Sequence, residues 1–495
     1  MNQLLVSTAL LLPIVAGLIS FTFKKAKVSE AVSIATSLVL LAISIVAMTS
    51  VVDPSRVVID GLFRLDRLAQ IMLLVIGSVS TLAGWASISF LDSLILNHEF
   101  SRNPQSPPPN RRNYWALFNI FSFAMVLAVL SNNLGITWVA IETTTIATTF
   151  LVGFKRTPLS LEAAWKYAMI CSFGIAIALL GVSIVYFAAV HGGLSGSQAL
   201  QINVLTTHFR LLDHSAMRLG VGLMILGFGA KAGLVPFHSW LPDAHSQAPA
   251  PISALMSGVL ISVAFSVILR VVSISNLVLG SSYAHTYLAV MGLASMAVAS
   301  LLLINQKDYK RMLAQSSIEQ IGFVAVAASF GTELAIAALL LHVIVHGLGK
   351  SLAFISVGRV ESGFHSTEIS KVKGLLKNSP SVGFGLIVAL CILIGLPPFG
   401  LFWSETAIIT SASGAHYVLV SAGAIAFILI SSIALARSVL KMTLGLGDSN
   451  SSIALNRGFL PIAGTAFLAS ILLGILASPT NGLLVRAAHS IVGIR

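Results

Sequence analysis

Charge is what this sequence most lacks. Only 9% of its 495 residues are Asp, Glu, Lys or Arg, against roughly 25% in an ordinary soluble domain. With 56% of residues hydrophobic, a water-soluble globule has too little interior to hide them, so lipid is the solvent for most of the surface. Cysteine is nearly missing as well. Cys171 and Cys391 stand in separate apolar runs, and no pair has metal-ligand spacing, which leaves out a zinc site and an iron–sulfur cluster. No glycine-rich phosphate loop precedes a soluble helix. The chain is therefore expected to carry no metal and no cofactor, and any redox or nucleotide chemistry that drives it belongs to another chain. Acids are scarcer than bases, 17 against 29. The bases are divided among short loops rather than gathered on one face, so nucleic acid is not the expected partner.

Long apolar runs are what the sequence does have. A helix needs about 20 apolar residues to cross the hydrocarbon core. By that window fourteen segments qualify: 3–21, 29–50, 69–92, 114–131, 132–153, 163–189, 216–236, 252–272, 283–304, 313–330, 333–358, 381–412, 415–440 and 459–477. They continue from end to end, which favours one all-α membrane domain over a string of soluble ones. The first run is read as a retained helix and not a cleaved signal, because Lys24, Lys25 and Lys27 follow it instead of preceding it. Loops after odd-numbered spans hold most of the Lys and Arg, among them Arg102, Arg111, Lys155, Lys310, Arg311, Lys371 and Arg457. The positive-inside rule then places those loops in the cytoplasm and both termini outside, in the cell's inner (plasma) membrane.

Between the spans, 93–113 is a polar loop whose proline-rich stretch 103–109 forbids regular structure. Segment 53–68 reads as a short hairpin or an interfacial helix, 192–197 opens the longest external loop, and 444–458 is a cytoplasmic linker. An internal echo is more informative. The seventh span runs into Gly233-Leu234-Val235-Pro236-Phe237, and the twelfth contains Gly395-Leu396-Pro397-Pro398-Phe399. Each break has a charge beside it, Lys231 before the first and Glu405 after the second. Proline removes a backbone donor and frees carbonyls that only protein or water can satisfy. Two such interrupted helices can be plain kinks, but the adjacent charges point to an ion site near the midplane.

A bare charge at the bilayer centre costs at least a few kcal/mol, so intramembrane ionisable residues are functional candidates. Glu142 in the fifth span needs a partner or a proton, and Lys231 is the expected counter-ion. Moving the acid relative to the amine would load and release a proton, whereas a fixed pair would be merely structural. His342, His346 and Lys350 recur every four residues and so share one face of the eleventh span. Histidine suits proton relay near neutral pH, and a haem or metal would need a second His pair that no other span offers. Glu405 is either the last stop of the proton or a cap on the restarted helix. Glu162 and Lys166 form an i, i+4 pair that fits an interfacial salt bridge as well as a pathway. His238, Asp243 and His245 can form a cytoplasmic entry or simply a polar loop. Lys310 and Arg311 are expected to be interface anchors.

The stretch Lys231–His245, with Ala248-Pro249-Ala250-Pro251-Ile252-Ser253-Ala254, Asp308–Ser317 and the His-x3-His-x3-Lys face, resembles the antiporter-like proton-translocating subunits of respiratory complex I. The same family includes subunits of multisubunit cation/proton antiporters and of membrane-bound [NiFe] hydrogenases. The resemblance covers about residues 60–440, and the runs 131–142 and 160–166 look most like component F of hydrogenase-4. It implies about fourteen transmembrane helices with two inverted five-helix repeats containing broken helices. The expected divisions are 1–113 (three helices and the polar loop), 114–272 (first repeat), 283–440 (second repeat) and 441–495 (linker and last helix). It implies Glu142 and Lys231 as the coupling pair, with Lys350 and Glu405 on a central charged axis. The expected partners are other membrane subunits and a peripheral redox arm with iron–sulfur and NiFe subunits, this chain itself doing no covalent chemistry. The alternative is a subunit of a Na⁺/H⁺ antiporter, and Glu142 and Glu405 suit either ion. One departure stands out: about Ser262, where many complex I members carry a lysine or histidine in the eighth span, no charge is available.

Overall fold

The computed structural model describes residues 2–23, 25–49, 57–99, 110–412, 415–444, 459–476 and 482–492. Lys24, Arg56, Arg102, Arg457, Arg495, the 103–109 proline stretch and almost all of the 444–458 linker lie outside the described residues. The chain begins with helices α1 (Asn2–Thr22) and α2 (Ala26–Thr49), then a small hairpin of β1 (Val57–Val58) and β2 (Phe63–Arg64). Of the two readings for that segment, the hairpin is the one formed. Next come α3 (Arg67–Glu99), α4 (Arg111–Leu130), α5 (Leu134–Val152), α6 (Pro158–His191) and the short α7 (Ile202–Thr207). The seventh apolar segment is α8 (His214–Ala232), broken before α9 (Trp240–Gln247). The eighth is α10 (Ala250–Leu255) and α11 (Ile261–Val278), joined by a π-helical turn at Met256–Leu260. Then α12 (Ser281–Ile304), α13 (Tyr309–Phe330), α14 (Glu333–Phe364) and α15 (Leu375–Asn378) lead to the twelfth segment, split into α16 (Pro380–Leu393) and α17 (Gly400–Thr410). α18 (Ala415–Leu444), α19 (Phe459–Leu476) and α20 (Gly482–Val492) finish the chain.

Every apolar segment is thus helical, and among the described residues ten helices are long and apolar enough by themselves to cross a membrane. α20 was not anticipated. It is amphipathic rather than uniformly apolar, burying Leu484, Ala487, Ala488 and Ile491, and a hydropathy window misses such a pattern.

Local chemistry explains the tightest boundary. Ser131 closes α4 and Asn133 opens α5, its side-chain oxygen accepting from the Gly135 and Ile136 N–H groups. Those two donors have no partner within their own helix.

Contacts between loops sort them into two sets. At one end, Ile369 N–H meets the Lys307 carbonyl (2.8 Å), Lys155 pairs with Glu361 (2.5 Å), and Arg311 pairs with Asp243 (2.6 Å). These residues follow odd-numbered spans or close them. At the other end, Asn132 N–H meets the Leu62 carbonyl (2.8 Å) and Leu134 N–H the Leu200 carbonyl (3.0 Å), all beside even-numbered loops. That alternation is what a chain crossing back and forth produces.

Polarity is inverted relative to a soluble protein. Large apolar side chains such as Phe21, Trp165, Phe173, Leu419 and Ile433 are exposed, while buried polar side chains collect inside. α14 and the segment Ala250–Val278 are enclosed along their whole apolar windows. α6 lies close on α8 through glycine: a Cβ at Gly181 would sit 2.7 Å from the Gly220 carbonyl. Small residues are how helices approach in lipid, where no hydrophobic force drives them together.

Candidate functional site

The first break is held by its surroundings. Gly233 ends α8 with φ +83°, a conformation a residue with a side chain rarely adopts. The Ala230 carbonyl accepts the Trp240 indole N–H at 3.0 Å, and Ser295 accepts the Val235 N–H at 2.9 Å. Backbone groups freed by Pro236 are thereby satisfied inside protein, and Lys231 is fixed one turn before the break.

Lys231 is 0% exposed, yet it makes no direct ion pair with Glu142. Its ammonium donates to the Thr145 hydroxyl (2.9 Å) and the Tyr167 hydroxyl (2.5 Å), and lies 4.8 Å from the Tyr167 ring centroid. Glu142 instead accepts from Ser172 at 2.9 Å, and its Oε2 is buried without a protein hydrogen-bond partner. The expected coupling partners are therefore separated in this structure, with the ammonium on Thr145 and Tyr167. An amine on hydroxyls can release a proton without first breaking an ion pair, and the acid can respond to its charge.

His342, His346 and Lys350 do share one face of α14. The two imidazoles stack with centroids 6.0 Å apart and planes 16° from parallel. His342 Nδ1 lies 3.2 Å from the Ser404 hydroxyl, while its Nε2 and both nitrogens of His346 have no protein partner. Ser262 and Gln320 line one small cavity with both histidines. The uncharged Ser262 thus sits beside an imidazole from the neighbouring helix. Lys350 donates to the Leu313 carbonyl at 2.8 Å and to the Ser316 hydroxyl.

Glu405 lies in the second turn of α17, beyond the first turn where an acid stabilises a helix end, so capping does not account for it. It is buried against the second break: Gly395 has φ +63°, and a Cβ there would lie 2.4 Å from Glu405 Oε2.

Glu319, on α13, is a further candidate that the sequence alone did not single out. It is 1% exposed, with Oε1 unpartnered, and the charged groups it feels are Glu405 and Lys350. The rule that flagged Glu142, an acid inside an apolar run, applies equally here. Tyr167 and Thr145 were missed because no rule on ionisable residues singles out a hydroxyl.

The accessory residues divide. Glu162 and Lys166 pair at 2.6 Å on the surface, with Lys166 also 3.7 Å from Asp243. His238 is half-buried near the first break. His245 is fully buried and stacks on Phe354 at 5.1 Å, with neither ring nitrogen partnered. It feels both Lys310 and Lys350, which separates it from the surface position of Asp243. Lys310 is not an interface anchor: it is fully buried, donating to the Ala248 carbonyl (2.9 Å) and Glu361 (3.1 Å). Glu361, a turn from the end of α14, supplies the charge that makes this burial tolerable. Arg311 remains on the surface. Among the described residues, no three His, Cys, Asp or Glu are grouped to hold a metal ion.

A bundle of lipid-facing helices, two of them broken around an enclosed row of carboxylates, amines and imidazoles, defines an antiporter-like membrane protein. The chain belongs to the family described as NADH:quinone oxidoreductase/Mrp antiporter, transmembrane, which it matches over residues 131–431. It is 39% identical over 305 residues to the hydrogenase-4 component F homolog of Methylacidiphilum infernorum, a match covering 62% of this chain and 64% of that protein. It is 28% identical over 384 residues to NADH-quinone oxidoreductase subunit N of Dehalococcoides mccartyi, covering 75% and 76%. In fold it superposes on a chain of the archaeal membrane-bound sulfane sulfur reductase with TM-score 0.84 at 22% identity, covering 98% and 97%. A chain of the Mrp complex from Dietzia gives TM-score 0.83 at 17% identity, covering 99% and 96%.

Proposed function

We propose that this chain is a proton-translocating subunit of a membrane-bound redox complex, of the hydrogenase-4 or complex I kind, driven by electron transfer in partner subunits. The observation that carries this reading is the enclosed row itself. In this reading it leads from Glu142 and Lys231, by Ser262, to His342, His346 and Lys350 on one face of α14, with Glu319 and Glu405 beyond. Several of its polar atoms lack a protein partner, so protons or water are what they are shaped to meet. His245, between Lys310 and Lys350, offers a second-half entry from the lysine-rich end. The matches to relatives named as redox-complex subunits favour an electron-transfer driver over an existing cation gradient. In this reading the membrane is the plasma membrane, the lysine-rich end is cytoplasmic, both termini are outside, and the partners are membrane subunits plus an iron–sulfur and NiFe redox arm.

The test is affinity purification from native membranes in mild detergent, followed by mass spectrometry. Iron–sulfur and hydrogenase-like large subunits are expected to co-purify. Recovery of small antiporter subunits alone would overturn the redox driver and move the reading to cation/proton exchange.

A further inference from the structure

Two acids in this chain hold matching positions. Glu142 follows Ile141 on α5, and Glu319 follows Ile318 on α13. Each of these helices opens on an Asx cap, Asn133 or Asp308, whose side chain accepts from two backbone N–H groups. Each is followed by a long helix opening on a threonine cap, Thr157 for α6 and Thr332 for α14. Each long helix is in turn followed by a broken one, carrying Lys231 or Glu405.

The match extends to the nearest lysine. In the first half the Lys231 ammonium rests on the hydroxyl of Thr145, three residues after Glu142 on the same helix. In the second half the Lys350 ammonium rests on the hydroxyl of Ser316, three residues before Glu319 on the same helix. Neither lysine makes a direct ion pair with its acid, and each acid keeps one buried oxygen without a protein partner, Oε2 of Glu142 and Oε1 of Glu319. The two hydroxyls lie on opposite sides of their acids along the chain, so the likeness is of chemistry and not of register.

We propose that Glu319 is the acid of a second proton-loading couple, with Lys350 as its amine and the Ser316 hydroxyl beside both. The proposal rests on reading the chain as a proton-translocating subunit. The Lys350 ammonium gives a proton to the Glu319 carboxylate, leaving amine and carboxylic acid, both neutral. Glu405 starts protonated and releases its proton towards the exit as Glu319 gains one. Glu319 then passes its proton to the emptied Glu405 carboxylate, and Lys350 is reloaded from the His346 side. Two carboxylates at one buried site resist ionising together, so Glu319 and Glu405 exchange a proton more readily than they hold two charges. Each half of the chain then has its own switch, and Glu405 acts as the exit.

The experiment compares Glu319→Gln, Glu319→Asp, Glu142→Gln and Lys231→Ala in membrane vesicles holding the assembled complex. It measures protons translocated per electron transferred, with assembly followed on native gels. Glu319→Gln is expected to lower translocation about a hundredfold, as loss of a positioned proton-transfer group does. Glu319→Asp should recover most of it, with a displaced pH profile. Full translocation by assembled Glu319→Gln overturns the proposal. If that happens while Glu142→Gln and Lys231→Ala are inactive, the functional reading stands and only the second couple is lost. If all of them translocate, the functional reading itself is overturned. Should Glu319→Gln fail to assemble, Glu319→Asp decides: an unchanged pH profile rejects a proton-carrying role.

Discussion

Two buried acid–base couples in this molecule are built in opposite ways. Near the hairpin end, Arg270 grips Asp66 with two hydrogen bonds, 2.7 and 3.2 Å, and donates a third to the Val129 carbonyl at 2.9 Å. Arg64 adds a contact to Asp66 at 2.9 Å. In the middle of the bundle, Glu142 and Lys231 face hydroxyls rather than each other. A guanidinium does not give up its proton in a protein, and its planar fork matches a carboxylate. Arg270 and Asp66 therefore form a clamp joining α3, α4 and α11. A lysine on neutral hydroxyls is held in place without being held in one charge state. In the proposed reading, the same two kinds of charge serve as staple or switch according to whether they touch.

The largest expected effect comes from breaking the switch. Lys231→Ala should reduce driven proton translocation by about a hundredfold or more while the assembled complex persists, since no ion pair is lost. Adding Glu142→Ala should cost little further, as for two residues acting as one unit. Translocation in vesicles carrying the assembled variant complex measures both, and full pumping by Lys231→Ala would sink the mechanism.

The staple should behave the other way, with a structural penalty. Asp66→Asn leaves Arg270 as a buried unpaired charge, and a broken buried pair costs about 3–5 kcal/mol, read as a lower thermal midpoint in detergent. Its pH dependence has a definite sign. Burial alone would raise the Asp66 carboxyl, but Arg270 and Arg64 outweigh it and hold it well below the usual carboxylate range. A depressed carboxylate stabilises the fold above its unfolded value, about 3.9, and loses that contribution as pH falls through the folded value. The clamp is thus at full strength at neutral pH and weakens only below about pH 4. A midpoint difference between wild type and Asp66→Asn that shrinks between pH 8 and pH 6 would contradict this.

A smaller effect should follow at the second break. Gly395→Ala forces a side chain into the left-handed region, costing about 1–2 kcal/mol, and pushes on the Glu405 carboxylate. Stability and translocation should fall together, and a variant with lower stability but normal translocation would show that Glu405 tolerates displacement. The smallest effect should be at Glu162, whose pairing with Lys166 is exposed to solvent. Glu162→Gln should leave both thermal midpoint and translocation unchanged, because exposed pairs contribute little. A clear translocation loss there would move the pair into the pathway.

The sequence alone was enough to show that this chain lives in lipid, where its apolar segments lie, and that Glu142, Lys231, His342, His346, Lys350 and Glu405 are candidates. The reason is that a helix in a bilayer satisfies its own backbone, so length, apolarity and an out-of-place charge can be read along one dimension. What touches what could not be read that way. Lys231 meets Tyr167, which lies 64 positions earlier, and Lys350 meets Ser316, 34 positions earlier. Lys310 looked like a surface anchor until α14 brought Glu361 against it. Ser262 carries no charge of its own, and only the packing of the helices brings it to the same small cavity as His346. Those meetings depend on how each helix is rotated about its axis, which close packing of small residues settles and no single helix encodes.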